Sequence, residues 1–161
     1  MLGRKPSHVD GHQHIHVLPG LSETFCRVLK RNNIHVTRLP VENISNKDLP
    51  NKDFLQTVIN NSHSAKLIFD HYNIRYTDKF VGLNSEEKSV DSIIDSIKNM
   101  LNGCNYGDTS CELMVHPGYK TKSDGGCGNG SDEFSHSECR VNEMNFLCDA
   151  KLKSFIDQSN L

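Results

Sequence analysis

Apolar positions along this chain follow two rhythms, a helical one repeating every three to four residues and a set of short β-branched runs. Leu21, Phe25, Val28 and Leu29 share one face of a helix predicted over Leu21–Arg31, with Ser22 placed to cap it. A second helix is predicted over Asp53–Tyr72, where Phe54, Leu55, Val58, Ile59, Ala65, Ile68 and Phe69 recur at helical spacing. The clearest stripe is Val90, Ile93, Ile94, Ile97, Met100 and Leu101, a helix over Val90–Leu101 that Gly103 stops. Two further helical stretches, Glu138–Phe146 and Ala150–Gln158, close the chain. Between them lie short extended runs: His8–Gly11, Ile34–Leu39 ahead of Pro40, Lys79–Leu83, and Cys111–Val115 ending at His116-Pro117-Gly118. Val41–Lys52 and the glycine-bearing Tyr119–Asp132 read as loops; the second lacks the Gly-Lys-Ser/Thr of a phosphate-binding loop. Strands separated by helices predict an α/β fold with parallel strands and right-handed crossovers, either a small open sheet or part of a barrel.

A length of 161 residues suits one domain spanning 1–161. The net charge of -2 comes from mixed charges with no basic stripe, which argues against nucleic acid as a partner. No apolar run is long enough to span a bilayer, and the N-terminus has no apolar signal region, so the expectation is a cytoplasmic protein without membrane contact. Six scattered cysteines with no Cys-x-x-Cys fit free thiols in a reducing compartment.

Histidine changes the picture. Four of the nine, His8, His12, His14 and His16, fall within the first sixteen residues, interleaved with Asp10. In an extended strand, alternate side chains share a face about 6.5–7 Å apart. Imidazole is the commonest metal ligand and a nearby carboxylate fixes its tautomer, so Asp10 and His12 are candidates for a metal or proton-transfer site. His12 and His16 would lie roughly 13 Å apart on a straight strand, so one ion cannot take them all. The remaining histidines would orient ligands or touch substrate; the bland alternative is a surface histidine cluster. His116 ends an apolar strand, where it could act as general acid or base or simply be a structural histidine, and Glu112 four residues earlier would face it. Arg38, at the end of the Ile34 run, suits a substrate contact or a strand-end ion pair. Arg140 and Glu143, three apart on a helix, are expected to pair with each other.

The run Gly3–His16 is similar to the pattern Gly-Arg-x-Pro-Ser/Thr-His-x-Asp-Ser/Gly-His-x-His-x-His of YdjC-like carbohydrate deacetylases. Thr37-Arg38-Leu39-Pro40, Phe80-Val81-Gly82-Leu83, Glu112 through Tyr119, Phe134-Ser135, Arg140 and Glu143 match the family in the same order. The resemblance implies a distorted (β/α) barrel that hydrolyses N-acetyl groups on sugars, with chito-oligosaccharides as substrates in bacterial relatives, using a divalent metal ion, magnesium or zinc. It implies His12 as a metal ligand and His116 as the general acid. Asp10 would hold His12 or its neighbours in place, and His14, His16 and Arg38 are left to the acetylated oligosaccharide. The family's Asp-Asp-Phe-Gly and early Gly-x-His, which supply two more ligands and the general base, have no match in this chain. The expectation is therefore the C-terminal portion of the barrel, with little or no deacetylase activity on its own; the alternative is a non-catalytic remnant that binds a sugar or a partner. Open sheet edges in a partial barrel would favour pairing with a second chain, such as a homodimer. An amidohydrolase, whose first strand also carries Asp-x-His-x-His, would need metal-binding histidines on middle strands, whereas His63 and His71 fall in a predicted helix.

Overall fold

Periodicity decides most of the architecture. The computed structural model describes residues 3–43, 52–82, 89–104, 107–121 and 133–159, which fall into two compact units, 1–84 with 107–113 and 85–106 with 114–161.

The first unit opens with a 3-10 helix, His12–Val17, followed by α1 (Ser22–Arg31), β1 (Val36–Thr37), α2 (Lys52–His71), β2 (Arg75–Tyr76), β3 (Lys79–Val81) and, after the excursion into the second unit, β4 (Cys111–Leu113). β1 and β2 pair in parallel, Val36 opposite Arg75 and Thr37 opposite Tyr76. β3 and β4 also pair in parallel, with Phe80 opposite Glu112. Val9 lies beside β1: its N–H donates to the Val36 carbonyl (3.2 Å), and the Thr37 hydroxyl donates to its carbonyl (2.7 Å). The α/β class and the parallel pairing agree with the sequence. Among the described residues the strands form two two-stranded sheets and no closed barrel.

The apolar stripes of α1 and α2 meet in a core of Val17, Cys26, Leu29, Ile34, Leu39, Ala65, Phe69 and Ile74. Phe69 is wholly buried, with its ring stacked parallel to that of His16 at 6.5 Å and tilted against Phe25 and Tyr76. Burial pushes the Cys26 thiol up to about 11, which makes it an inert core residue.

The second unit holds α3 (Val90–Leu101), α4 (Glu133–His136), α5 (Cys139–Leu147) and α6 (Ala150–Ser159). Ser89 and Ser92 form a reciprocal capping box at the start of α3, each hydroxyl accepting from the other's backbone N–H. Ile93, Ile94, Ile97 and Leu101 bury the predicted face, and α3 packs against α6, which contributes Leu152. No described helix is long and apolar enough to cross a membrane.

Three expectations need correction. The alternating strand face proposed for His8 through His16 ends at Gly11, because Gln13 (φ 50°) and His14 (φ 60°) take the left-handed conformation and coil the chain into the 3-10 helix. Ser22 does not cap α1; Leu21 does, with no side-chain bond, while Ser22 is the first helical residue and is 1 % exposed. β1, β3 and β4 are shorter than the apolar runs that encode them, and β2 and α4 were not expected at all. Most of the Val41–Lys52 loop and of the glycine loop lies outside the described residues.

Phe69→Ala should cost roughly 3–5 kcal/mol, the usual range for truncating a buried aromatic. Urea unfolding should give a lower midpoint than for an exposed control such as Leu67→Ala, since Leu67 is 73 % exposed on the same helix.

Candidate functional site

The site in the first unit is built from three segments. Val9's two hydrogen bonds to β1 place Asp10 beside Arg38, the residue that follows β1. Glu112 sits in the middle of β4. The Arg38 guanidinium spans both acids: Nη1 lies 2.7 Å from Asp10 Oδ2, and Nε donates to Glu112 Oε1 at 2.7 Å. Below it lies the Phe80 ring, 5.6 Å from the guanidinium carbon, in cation–π range. The Arg38 and Glu112 side chains are 14 % and 19 % exposed and Asp10 is 35 % exposed, so the array is partly withdrawn from water. It lies at the carboxyl end of β1, the end at which parallel α/β folds bind ligands.

The 3-10 helix hangs from the same residue. His16 is 1 % exposed, and both of its ring nitrogens are committed to backbone: the Gly11 N–H donates to Nδ1 (3.1 Å), and Nε2 lies 3.1 Å from the Arg38 carbonyl. Because Nδ1 accepts, the proton is on Nε2 and the ring is neutral. Burial lowers the His16 pKa below 6.5, opposed by the hydrogen bond to Arg38 and the charge of Asp10. Gly11 permits this approach, since a Cβ there would lie 2.9 Å from the His16 backbone nitrogen. His14 is also buried, its ring edge-on to Phe80 at 6.0 Å. His12 is exposed, and so is His8, whose ring nitrogen lies 2.9 Å from the Ser7 hydroxyl.

His116 belongs to the second unit. Its side chain is exposed and meets the Phe134 ring edge-on at 5.3 Å. Its backbone N–H donates to the Glu143 carboxylate, and its carbonyl accepts from Arg140 Nε (3.4 Å). Two expectations change here. Glu112 is taken up by Arg38, and Arg140 and Glu143 both reach the loop that follows β4. Sequence reasoning also missed the burial of Glu143, which is 3 % exposed. The available signal was its place on the stripe Cys139, Glu143, Phe146, which a carboxylate joins only when it has a partner.

A separate open cavity of about 740 Å³ lies near the amino ends of the strands and is lined by Asp70, Arg75, Tyr76, Asp78 and Ser110 among others. The Ser110 hydroxyl and N–H hold Asp78 below the usual carboxylate range. This cavity contains none of the sequence-predicted site residues. Among the described residues, no three His, Cys, Asp or Glu side chains gather as a metal site.

The neutral, buried His16 carries a pH dependence. Its folded pKa is below the unfolded value of 6.5, so its contribution to stability is intact above that pH and is lost as pH falls below it, where the unfolded chain takes up the proton first. Through His16 the unfolding free energy should be level from pH 8 to 6.5 and should fall below pH 6.5, by at most about 1.4 kcal/mol per pH unit, with the urea midpoint falling alongside. His16→Gln should be less stable at pH 8 and should show a smaller drop.

The family model described as YdjC-like protein matches residues 1–158. The carbohydrate deacetylases of Mus musculus and Homo sapiens are each 36 % identical to this chain over 169 residues, covering all of it and 54 % and 52 % of themselves. That of Xenopus laevis is 34 % identical, covering 96 % of this chain and 56 % of itself. The chain thus spans about half the length of these relatives. No solved structure matches it. With a family model covering nearly every residue, including the whole histidine segment and the His116 loop, the chain belongs to the YdjC-like family.

Proposed function

We propose that this chain is part of a hydrolase that removes N-acetyl groups from carbohydrates, with chito-oligosaccharide-like molecules as substrates. The observation that carries the reading is the Asp10–Arg38–Glu112 array at a strand's carboxyl end, with the exposed His12 two residues from Asp10. The names borne by the mouse, human and frog relatives support the acetylated carbohydrate as substrate. The parallel pairs, each joining neighbours in chain order, suit a section of (β/α) barrel wall.

Removing an acetyl group from an amine requires water to attack the carbonyl and a proton to reach the departing nitrogen. His116, exposed in the loop that follows β4, supplies that proton as general acid, a role worth roughly 10²–10⁴ in rate. Asp10, anchored by Arg38, holds its carboxylate beside the histidine segment. A divalent ion, magnesium or zinc, enters the reading only through His12. The described residues alone do not fit one, and no step is assigned to it.

That same lack of three gathered ligands among the described residues favours a second reading, a non-catalytic member that keeps the fold and binds a sugar or a partner. Calorimetric titration with zinc or magnesium separates the two: tight stoichiometric binding supports a working site, and its absence supports the second.

The isolated chain should release acetate from N,N'-diacetylchitobiose well below the rate of a full-length relative, and His116→Ala should lower the residual rate by at least about 10²-fold. The disaccharide should shift the NMR signals of His12 and Arg38 in both proteins. A chain that neither releases acetate nor shows those shifts is not a sugar deacetylase, and turnover matching the full-length relative would mean that it builds a competent site by itself.

A further inference from the structure

The second unit contains a device that the proposed chemistry does not use directly. After β4 the chain passes through His116-Pro117-Gly118, and α5 grips this turn at three points. Glu143 accepts the His116 N–H, Arg140 Nε donates to the His116 carbonyl at 3.4 Å, and the Arg140 carbonyl accepts the Gly118 N–H at 3.2 Å. The fit is close enough that a Cβ on Gly118 would collide with the Arg140 guanidinium. Farther along, the Thr121 N–H donates to the Ser135 carbonyl (3.0 Å), the Thr121 hydroxyl donates to that of Ser135 (3.1 Å), and His136 Nδ1 lies 3.1 Å from the Thr121 carbonyl.

Two features mark this as more than a loop attachment. Glu143 is 3 % exposed, and a buried carboxylate is costly unless its hydrogen bonds are met. Arg140 and Glu143 are spaced to neutralise each other along the helix, yet they flank opposite sides of one residue, the acid on its N–H and the cation on its carbonyl. With N–H and carbonyl both held by charged groups, the backbone at His116 is fixed on either side of its Cα, and with it the direction of the Cα–Cβ bond. The ring remains exposed, its edge against Phe134.

We infer that Glu143 and Arg140 are positioning residues, a charged clip on the backbone of His116 that aims its imidazole, with Gly118 as the opening through which Arg140 reaches. The inference that this aim serves proton transfer rests on the deacetylase reading; the clip itself does not.

NMR on the 161-residue chain tests the clip whether or not the chain turns over. The His116 amide should exchange slowly with solvent, and its ring should give a cross-relaxation peak to the Phe134 ring. Glu143→Ala should make the amide exchange at least tenfold faster and remove the peak. Glu143→Gln keeps an acceptor oxygen of the same reach, and should retain both. Gly118→Ala, which displaces Arg140 without touching Glu143, should weaken the peak and carries the test if Glu143→Ala does not fold. A His116 amide that exchanges freely in the unsubstituted chain, or a peak that survives both Glu143→Ala and Gly118→Ala, overturns the clip. Where acetate release is measurable, Glu143→Ala should lower kcat by roughly 10²-fold, the cost of misplacing a reacting group by about 1 Å, with KM nearly unchanged and Glu143→Gln close to the parent. A lost NMR peak with unchanged kcat would leave the clip standing and remove His116 from the proton transfer.

Discussion

The first unit is organised around one guanidinium. Arg38 offers a planar fork of donors, and Asp10 and Glu112 approach it from two segments that are distant in sequence. Lysine could not do the same, because a point charge does not divide itself in fixed directions between two acids. An array of this kind is weak as a source of stability, since desolvating three charges offsets much of their attraction. What it supplies is geometry. It fixes the segment at residue 10, the end of β1 and the middle of β4 relative to one another, and it leaves the set with one net negative charge.

Arg38 also acts through its backbone, because its carbonyl is the partner of His16 Nε2. One residue therefore sets the charge pattern and the path of the histidine segment together. That path is strained. Two consecutive non-glycine residues, Gln13 and His14, sit at positive φ, a conformation that costs of order 1–3 kcal/mol per residue and persists only where the surroundings hold it. The surroundings here are the Gly11 N–H on His16 Nδ1, the burial of Val17, and the stacking of His16 on Phe69. The strain has a visible result: the coil turns His14 and His16 inward while His12 stays at the surface.

The long elements were legible because burial of a face imposes a period on the sequence. The six-residue stripe from Val90 to Leu101 gave that helix its observed ends. β2 was illegible for the opposite reason: two residues, Arg75 and Tyr76, cannot display an alternation. The histidine segment misled because His-x-His-x-His carries the period of a strand, while its actual course depends on positive φ at two residues that no pattern announces. The candidate residues themselves were visible, Arg38 and Glu112 included; their pairing was not. An acid in an apolar strand signals a hidden partner, but the nearest basic group in sequence, His116, was the wrong guess. The actual partner lies 74 positions away, at a distance only the fold can close.

His16 and His116 are held by the fold in different ways. In His16 both ring nitrogens are spent on backbone groups, the ring is buried and its pKa is lowered, so it can accept a proton only by giving up the bond from Gly11. In His116 it is the backbone that is held, its N–H by Glu143 and its carbonyl by Arg140, while the ring stands at the surface. Composition makes the two residues equivalent. The fold engages the ring of one through two backbone groups and the peptide of the other through two charged side chains, a difference that no residue count can show.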